Sequence, residues 1–139
     1  MVRMSSIARM NDQEAKLLTG SRRVEKAARE LRSLGPKIVF ITLAEKGCFA
    51  SCSAWSGFIP GFKVKALDTT GCGDGFFVGI LYGIRRTNKK IGELTKDDVR
   101  SICMLGNAVG ALTSLERGAI SALPSSKELR VFLRKHKEL

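Results

Sequence analysis

Histidine is almost missing from this chain: among 139 residues there is one, His136, near the end. The four cysteines, Cys48, Cys52, Cys72 and Cys103, form no C-x-x-C pair. Together these shortages argue against a zinc site. No apolar run is long enough to span a bilayer, so no membrane segment is expected. The opening Met1-Val2-Arg3-Met4-Ser5-Ser6 lacks the apolar stretch of a signal peptide. Free thiols without an export signal give the expectation of a reducing cytoplasm. Acidic residues are also scarce, 13 against 24 basic ones, for a net charge of +11. Such an excess raises the possibility of a nucleic-acid partner. Its distribution argues against one. The basic residues fall into three groups, around Arg22–Arg32, Arg85–Lys90 and Arg130–Lys137. Each reads as a solvated helix face or helix end, and no aromatic residues interleave as stacking platforms.

What is present is one globular domain's worth of chain, with an ordinary apolar fraction of 44%. No linker or repeat divides residues 1–139, which are expected to form one unit. It centres on Asp68-Thr69-Thr70-Gly71-Cys72-Gly73-Asp74-Gly75-Phe76-Phe77. Before it, Phe62 to Leu67 alternates like a half-buried strand. After it, Phe76, Phe77, Ile80, Leu81 and Ile84 recur at helical spacing. Strand, glycine turn and helix would aim backbone N–H groups and a helix dipole at one point, a ready site for phosphate. Asp74 falls in the first turn of that helix. A carboxylate is a poor anion ligand there, but a suitable base for a hydroxyl that attacks a phosphoryl group.

The same stretch resembles the D-T-x-G-A-G-D signature of the ribokinase-like (PfkB) carbohydrate kinases, with Cys72 in place of the usual Ala. Cysteine is small and usually buried, so the backbone should survive the exchange. Asn11 and Glu14 match that family's N-x-x-E motif, whose glutamate acts on the magnesium and phosphate side of the site. They equally suit an N-cap and its N3 carboxylate. Thr42 and Gly47 match the family's T-x-G-x-x-G nucleotide motif, in which Ala44 replaces the first glycine. If that position needs a positive φ, alanine is strained by about 1 kcal/mol or more. The alternative is a plain hairpin turn.

Further elements follow from pattern. Ser6 to Met10 reads as a strand. A helix capped by Ser21 should run from Arg22 to Leu34 and end at Gly35-Pro36. The apolar run Ile38 to Leu43 marks a strand covered on both faces. Ser53 to Lys65 reads as short antiparallel strands, with Trp55 in packing. Gly75, Gly79 and Gly83 form a stripe on one helix face, implying a very close neighbour. Thr95-Lys96-Asp97-Asp98 should open a helix to Leu115, and Ser125 with Glu128 another. Asn107 lies in a small-residue patch that either packs a helix or, as the resemblance implies, borders adenine. Arg117-Gly118-Ala119 resembles the family's turn near the nucleotide.

The resemblance implies a three-layer α/β/α fold of which this chain is the C-terminal portion, with a mostly parallel sheet plus a short antiparallel section. It implies ATP-dependent phosphorylation of a sugar hydroxyl, with a fructokinase-like flavour from Asn107 to Ala111 and Ala122 to Pro124. Asp74 would be the base, and the amides of Gly71, Cys72 and Gly73 the anion hole. Asp68, Thr69, Thr42, Gly47, Asn107 and Gly118 would face the nucleotide. Glu14, through water, and Asn11 would serve Mg²⁺. The expected partners are ATP and a sugar, with a second copy or a complementing N-terminal half covering exposed sheet edges. An inactive remnant of the fold and a basic nucleic-acid-binding module are the alternatives.

Overall fold

The computed structural model describes residues 6–117 and 124–136. The chain runs β1 (Ile7–Asn11), α1 (Asp12–Thr19), α2 (Val24–Ser33), β2 (Ile38–Thr42), β3 (Gly47–Cys52), β4 (Ser56–Pro60), α3 (Cys72–Thr87), α4 (Lys96–Ser114) and α5 (Ser126–Lys135). The strands form one sheet in the order β1-β2-β3-β4. Period-two alternation sorts their side chains. Ala8, Met10, Val39 and Ile41 meet Ala15, Ala27, Ala28 and Leu31 of α1 and α2. Ile38, Phe40, Cys48 and Ala50 meet Phe76, Ile80, Val99 and Ile102 of α3 and α4. The sheet is therefore covered on both faces, the expected three layers.

The proportion of parallel pairing differs from expectation. Only β1 and β2 run parallel, joined across α1 and α2; β2–β3 and β3–β4 are antiparallel. The cause is local. A short 3₁₀ turn, Ala44–Lys46, links β2 to β3, and a link that short can only return the chain antiparallel. Phe62 to Leu67 also departs from its expected strand and has no regular secondary structure. Its alternating Phe62 and Val64 are half-buried against Leu129, Phe132 and α4, not within the sheet. The amides of Leu67 and Asp68 both donate to Ser114 O at the end of α4, at 2.7 and 3.0 Å. Helix α2 begins at Val24 rather than Arg22, and Ser21 Oγ accepts from the Arg23 amide without capping it.

The glycine stripe of α3 has its close neighbour. A Cβ on Gly79 would stand 2.6 Å from Leu105 O and 2.8 Å from Gly106 Cα. In return, a Cβ on Gly106 would meet Phe76 and Ile80 at 2.9 Å. Helix α4 opens with the expected capping box: Asp98 N donates to Thr95 Oγ1, and Thr95 N to Asp98 Oδ2. Lys89 Nζ lies 2.7 Å from the same carboxylate. The Lys89 ammonium, and after it the Thr95 amide, hold the Asp98 carboxyl down at about 2.

Two outcomes follow. Gly79→Ala would ordinarily strengthen a helix, but here the added methyl meets backbone. It should destabilise the chain by about 1–3 kcal/mol in urea unfolding. Because Asp98 titrates lower folded than unfolded, its contribution is complete above the ordinary carboxylate range and fades as pH falls toward 2. Asp98→Asn should be less stable than wild type above about pH 5, and the gap should close in acid unfolding curves at lower pH.

Candidate active site at the start of helix α3

Gly71 is the N-cap of α3 and takes a left-handed conformation, φ 78°, with no side chain capping the helix. An alanine there would be strained, so the turn needs glycine. Asp68 folds the approach: its Oδ1 accepts from Thr70 N at 2.9 Å. The first intrahelical bond runs from Gly75 N to Gly71 O at 2.8 Å. This geometry leaves the amides of Gly71, Gly73 and Asp74 without a protein acceptor among the described residues. The Cys72 amide, expected in the same set, is turned onto Thr69 O at 3.2 Å instead. Thr69 and Thr70 are exposed and Asp68 is half-buried, so the loop lies at the surface, not within the core.

The Asp74 side chain is 82% exposed. Its one ion partner among the described residues is Arg9, with Nη2 3.5 Å from Oδ1. Arg9 lies on β1, and its guanidinium sits 5.7 Å from the Phe77 ring centroid. Sequence reasoning missed Arg9. The signal was its strand parity, which puts it on the same face as Ile7. The Cys72 thiol is half-buried and points to Asp68 O at 3.9 Å. Burial, and then the Asp68 charge, push this thiol up, so it stays protonated at neutral pH.

The other expected residues divide into two sets. Asn11 and Glu14 form a complete capping box at the start of α1, with Glu14 N to Asn11 Oδ1 at 2.7 Å and Asn11 N to Glu14 Oε2 at 2.9 Å. Both are exposed, Asn11 at the carboxyl end of β1, two residues beyond Arg9, and Glu14 in the first turn of α1. Thr42 pairs with Asn11 across the parallel strands. These positions sit where α/β sheets place ligands, at the carboxyl ends of strands. Gly47 is buried with φ 110°, and a Cβ there would run into the backbone of Ile59 to Gly61. Its conformation thus answers to β4. Asn107 is buried too. Its Nδ2 donates to Ile59 O at 3.3 Å and Pro60 O at 3.1 Å, tying α4 to β4. Gly118 and the turn around it lie outside the described residues, as does the Ala122-Leu123 part of the C-terminal motif. Among the described residues, no three His, Cys, Asp or Glu side chains are grouped to hold a metal.

The profile of the pfkB family carbohydrate kinases matches residues 1–126. The chain belongs to that family. It is 34% identical over 131 residues to probable fructokinase-4 of Arabidopsis thaliana, covering 94% of this chain and 40% of that protein. Aminoimidazole riboside kinase of Salmonella enterica, solved with aminoimidazole riboside and an ATP analog, superposes with a TM-score of 0.82 at 29% identity. That match covers 95% of this chain and 43% of the kinase. Fructokinase of Vibrio cholerae O395, bound to fructose, ADP and calcium ion, gives a TM-score of 0.82 at 27% identity, over 95% and 42% of the two chains. The chain thus spans about two fifths of the length of these three relatives.

Ala44, where the family motif has glycine, has φ 55°. The strain that the sequence suggested is present. Ala44→Gly should raise stability by about 1 kcal/mol in urea unfolding, since glycine adopts this backbone freely.

Proposed function

We propose that this chain is the nucleotide-binding and catalytic portion of an ATP-dependent kinase acting on a sugar hydroxyl, fructokinase-like or ribokinase-like. The observation that carries the proposal is the family motif folded as an open helix start, with the Gly71 and Gly73 amides without an acceptor among the described residues and Asp74 exposed beside them. Those amides and the positive end of a 16-residue helix suit a terminal phosphate. Asp74 takes the proton from the acceptor hydroxyl, and the amides offset charge on the transferred phosphoryl oxygens. Thr69 and Asp68 shape the turn under the phosphates. Asn107 and Gly47 hold the walls of the nucleotide side by fixing α4 and β3 to β4. Asn11, Glu14 and Thr42 form the neighbouring strand-end edge.

Mg²⁺ fits this donor set only as an ion arriving with the nucleotide. Glu14 is the exposed carboxylate of the N-x-x-E motif, and a hard cation takes carboxylate, water and phosphate oxygens. Bound there, the ion would neutralise phosphate charge. The residues completing a sugar site are assigned to the length that the relatives have and this chain lacks, or to a second copy. The outer edge of β1 has no strand beside it among the described residues, which suits such a partner. Among the described residues, no helix is long and apolar enough to cross a membrane; we assign the chain to the cytoplasm.

A second reading, an inactive remnant of the kinase fold, is favoured by the strained Ala44. Thermal unfolding with and without MgATP separates the two, because only a working site is stabilised by ligand. In a form that turns over, Asp74→Asn should lower kcat by roughly 10²–10⁴-fold, with ATP affinity unchanged within about twofold. Full activity of that variant would remove Asp74 from the role of base.

A further inference from the structure

Helices α1 and α2 leave a crevice between them, on the face of the sheet opposite α3. It encloses about 390 Å³. Its floor is apolar: Ala15 and Ala27 are buried there, with Val24 beside them. Its rim is charged, with Asp12 and Lys16 on α1 and Arg22 just ahead of α2. All three are exposed. The turn that joins the helices holds the walls. Gly20, at φ 74°, donates its amide to Lys16 O at 2.7 Å. Ser21 N donates to Thr19 Oγ1, and Arg23 N to Ser21 Oγ, both at 3.2 Å.

Opposite charges around one small space attract, and long side chains can reach across it. Here they stay apart: among the described residues no ion pair includes Asp12, Lys16 or Arg22. Asp12 Oδ1 accepts from the Gln13 amide at 3.1 Å, which leaves Oδ2 for another donor. Two cations and a carboxylate thus border a space of small-molecule size without satisfying one another. The cations match the double charge of a phosphate monoester. Asp12 repels a second anionic group but accepts from a hydroxyl. The apolar floor suits the carbon face of a small polyol.

We propose that this crevice binds a small hydroxylated phosphomonoester, with its phosphate on Lys16 and Arg22 and a hydroxyl on Asp12. The crevice shares no residue with the α3 loop, and the inference stands whether or not that loop takes a nucleotide.

The test is an amide-resolved NMR titration of the full chain with glycerol 3-phosphate, inorganic phosphate and glycerol. Glycerol 3-phosphate should give saturable shifts at Gln13, Ser21 and Arg22, and bind about threefold or more tighter than inorganic phosphate. Glycerol should move none of the three. Arg22→Gln should weaken binding of the ester by about threefold or more. Asp12→Ala should bring its affinity down to that of inorganic phosphate. Ester shifts absent from Gln13, Ser21 and Arg22, or confined to Gly71 and Gly73, overturn the proposal, as does a smaller loss in Arg22→Gln. Saturable shifts with glycerol overturn the role of the phosphate. A smaller preference over inorganic phosphate in wild type, or one that survives Asp12→Ala, overturns the role of the hydroxyl. Thermal unfolding of each variant reports folding; should Arg22→Gln not fold, Lys16→Gln takes its place under the same criteria.

Discussion

The placement of the α3 N-terminus depends on one constraint, the near-contact of the α3 and α4 backbones. Gly75, Gly79 and Gly83 let α3 approach until only hydrogen fits between the helices, with Leu105 O and Gly106 Cα within 3 Å of a notional Cβ on Gly79. Gly106 makes the reciprocal space for Phe76 and Ile80. Those two side chains then press on Phe40 and Ile38 of β2. Helix α3 is wedged between α4 and the sheet, with no slack along the contact. Interiors packed at this density do not deform continuously, so the first turn of α3 is fixed by residues well along the helix.

Two further ties locate the loop that enters α3. Ser114 O, at the end of α4, accepts from both Leu67 and Asp68 amides. The same helix that grips α3 along its length thereby also grips the segment leading into it. From the other side, β1 brings Arg9 against Phe77 and Asp74. The result is a positive helix end whose Gly71 and Gly73 amides have no acceptor among the described residues, beside the Arg9–Asp74 ion pair. A helix start in which no side chain caps these donors is suited to an anion from outside.

Much of this was legible in the chain alone. The D-T-x-G-x-G-D spacing located the turn into α3 because the residue types needed for a left-handed N-cap and an open turn are few. The glycine stripe announced a close helix neighbour, and the capping boxes at Asn11, Thr95 and Ser125 all formed. Other features were not legible, for identifiable reasons. Phe62 to Leu67 alternates, but alternation reports two environments and not a strand partner; its apolar side faces α4 and α5. The share of parallel pairing depended on the length of a turn that pattern alone did not fix. Asn107 and Gly47 look like ligand residues in a motif, yet each answers to the backbone of β4, a contact between segments far apart in sequence. Arg9 drew no notice because one charge in a short strand carries no periodic signal.

The central claim is that the free amides of the loop receive a nucleotide's terminal phosphate. The most direct measurement is an amide-resolved NMR titration of the chain with MgATP. The account predicts large downfield proton shifts at Gly71 and Gly73, with Cys72, whose amide is bonded to Thr69, moving less. Saturating ATP that leaves the Gly71 and Gly73 amides where they were would contradict it.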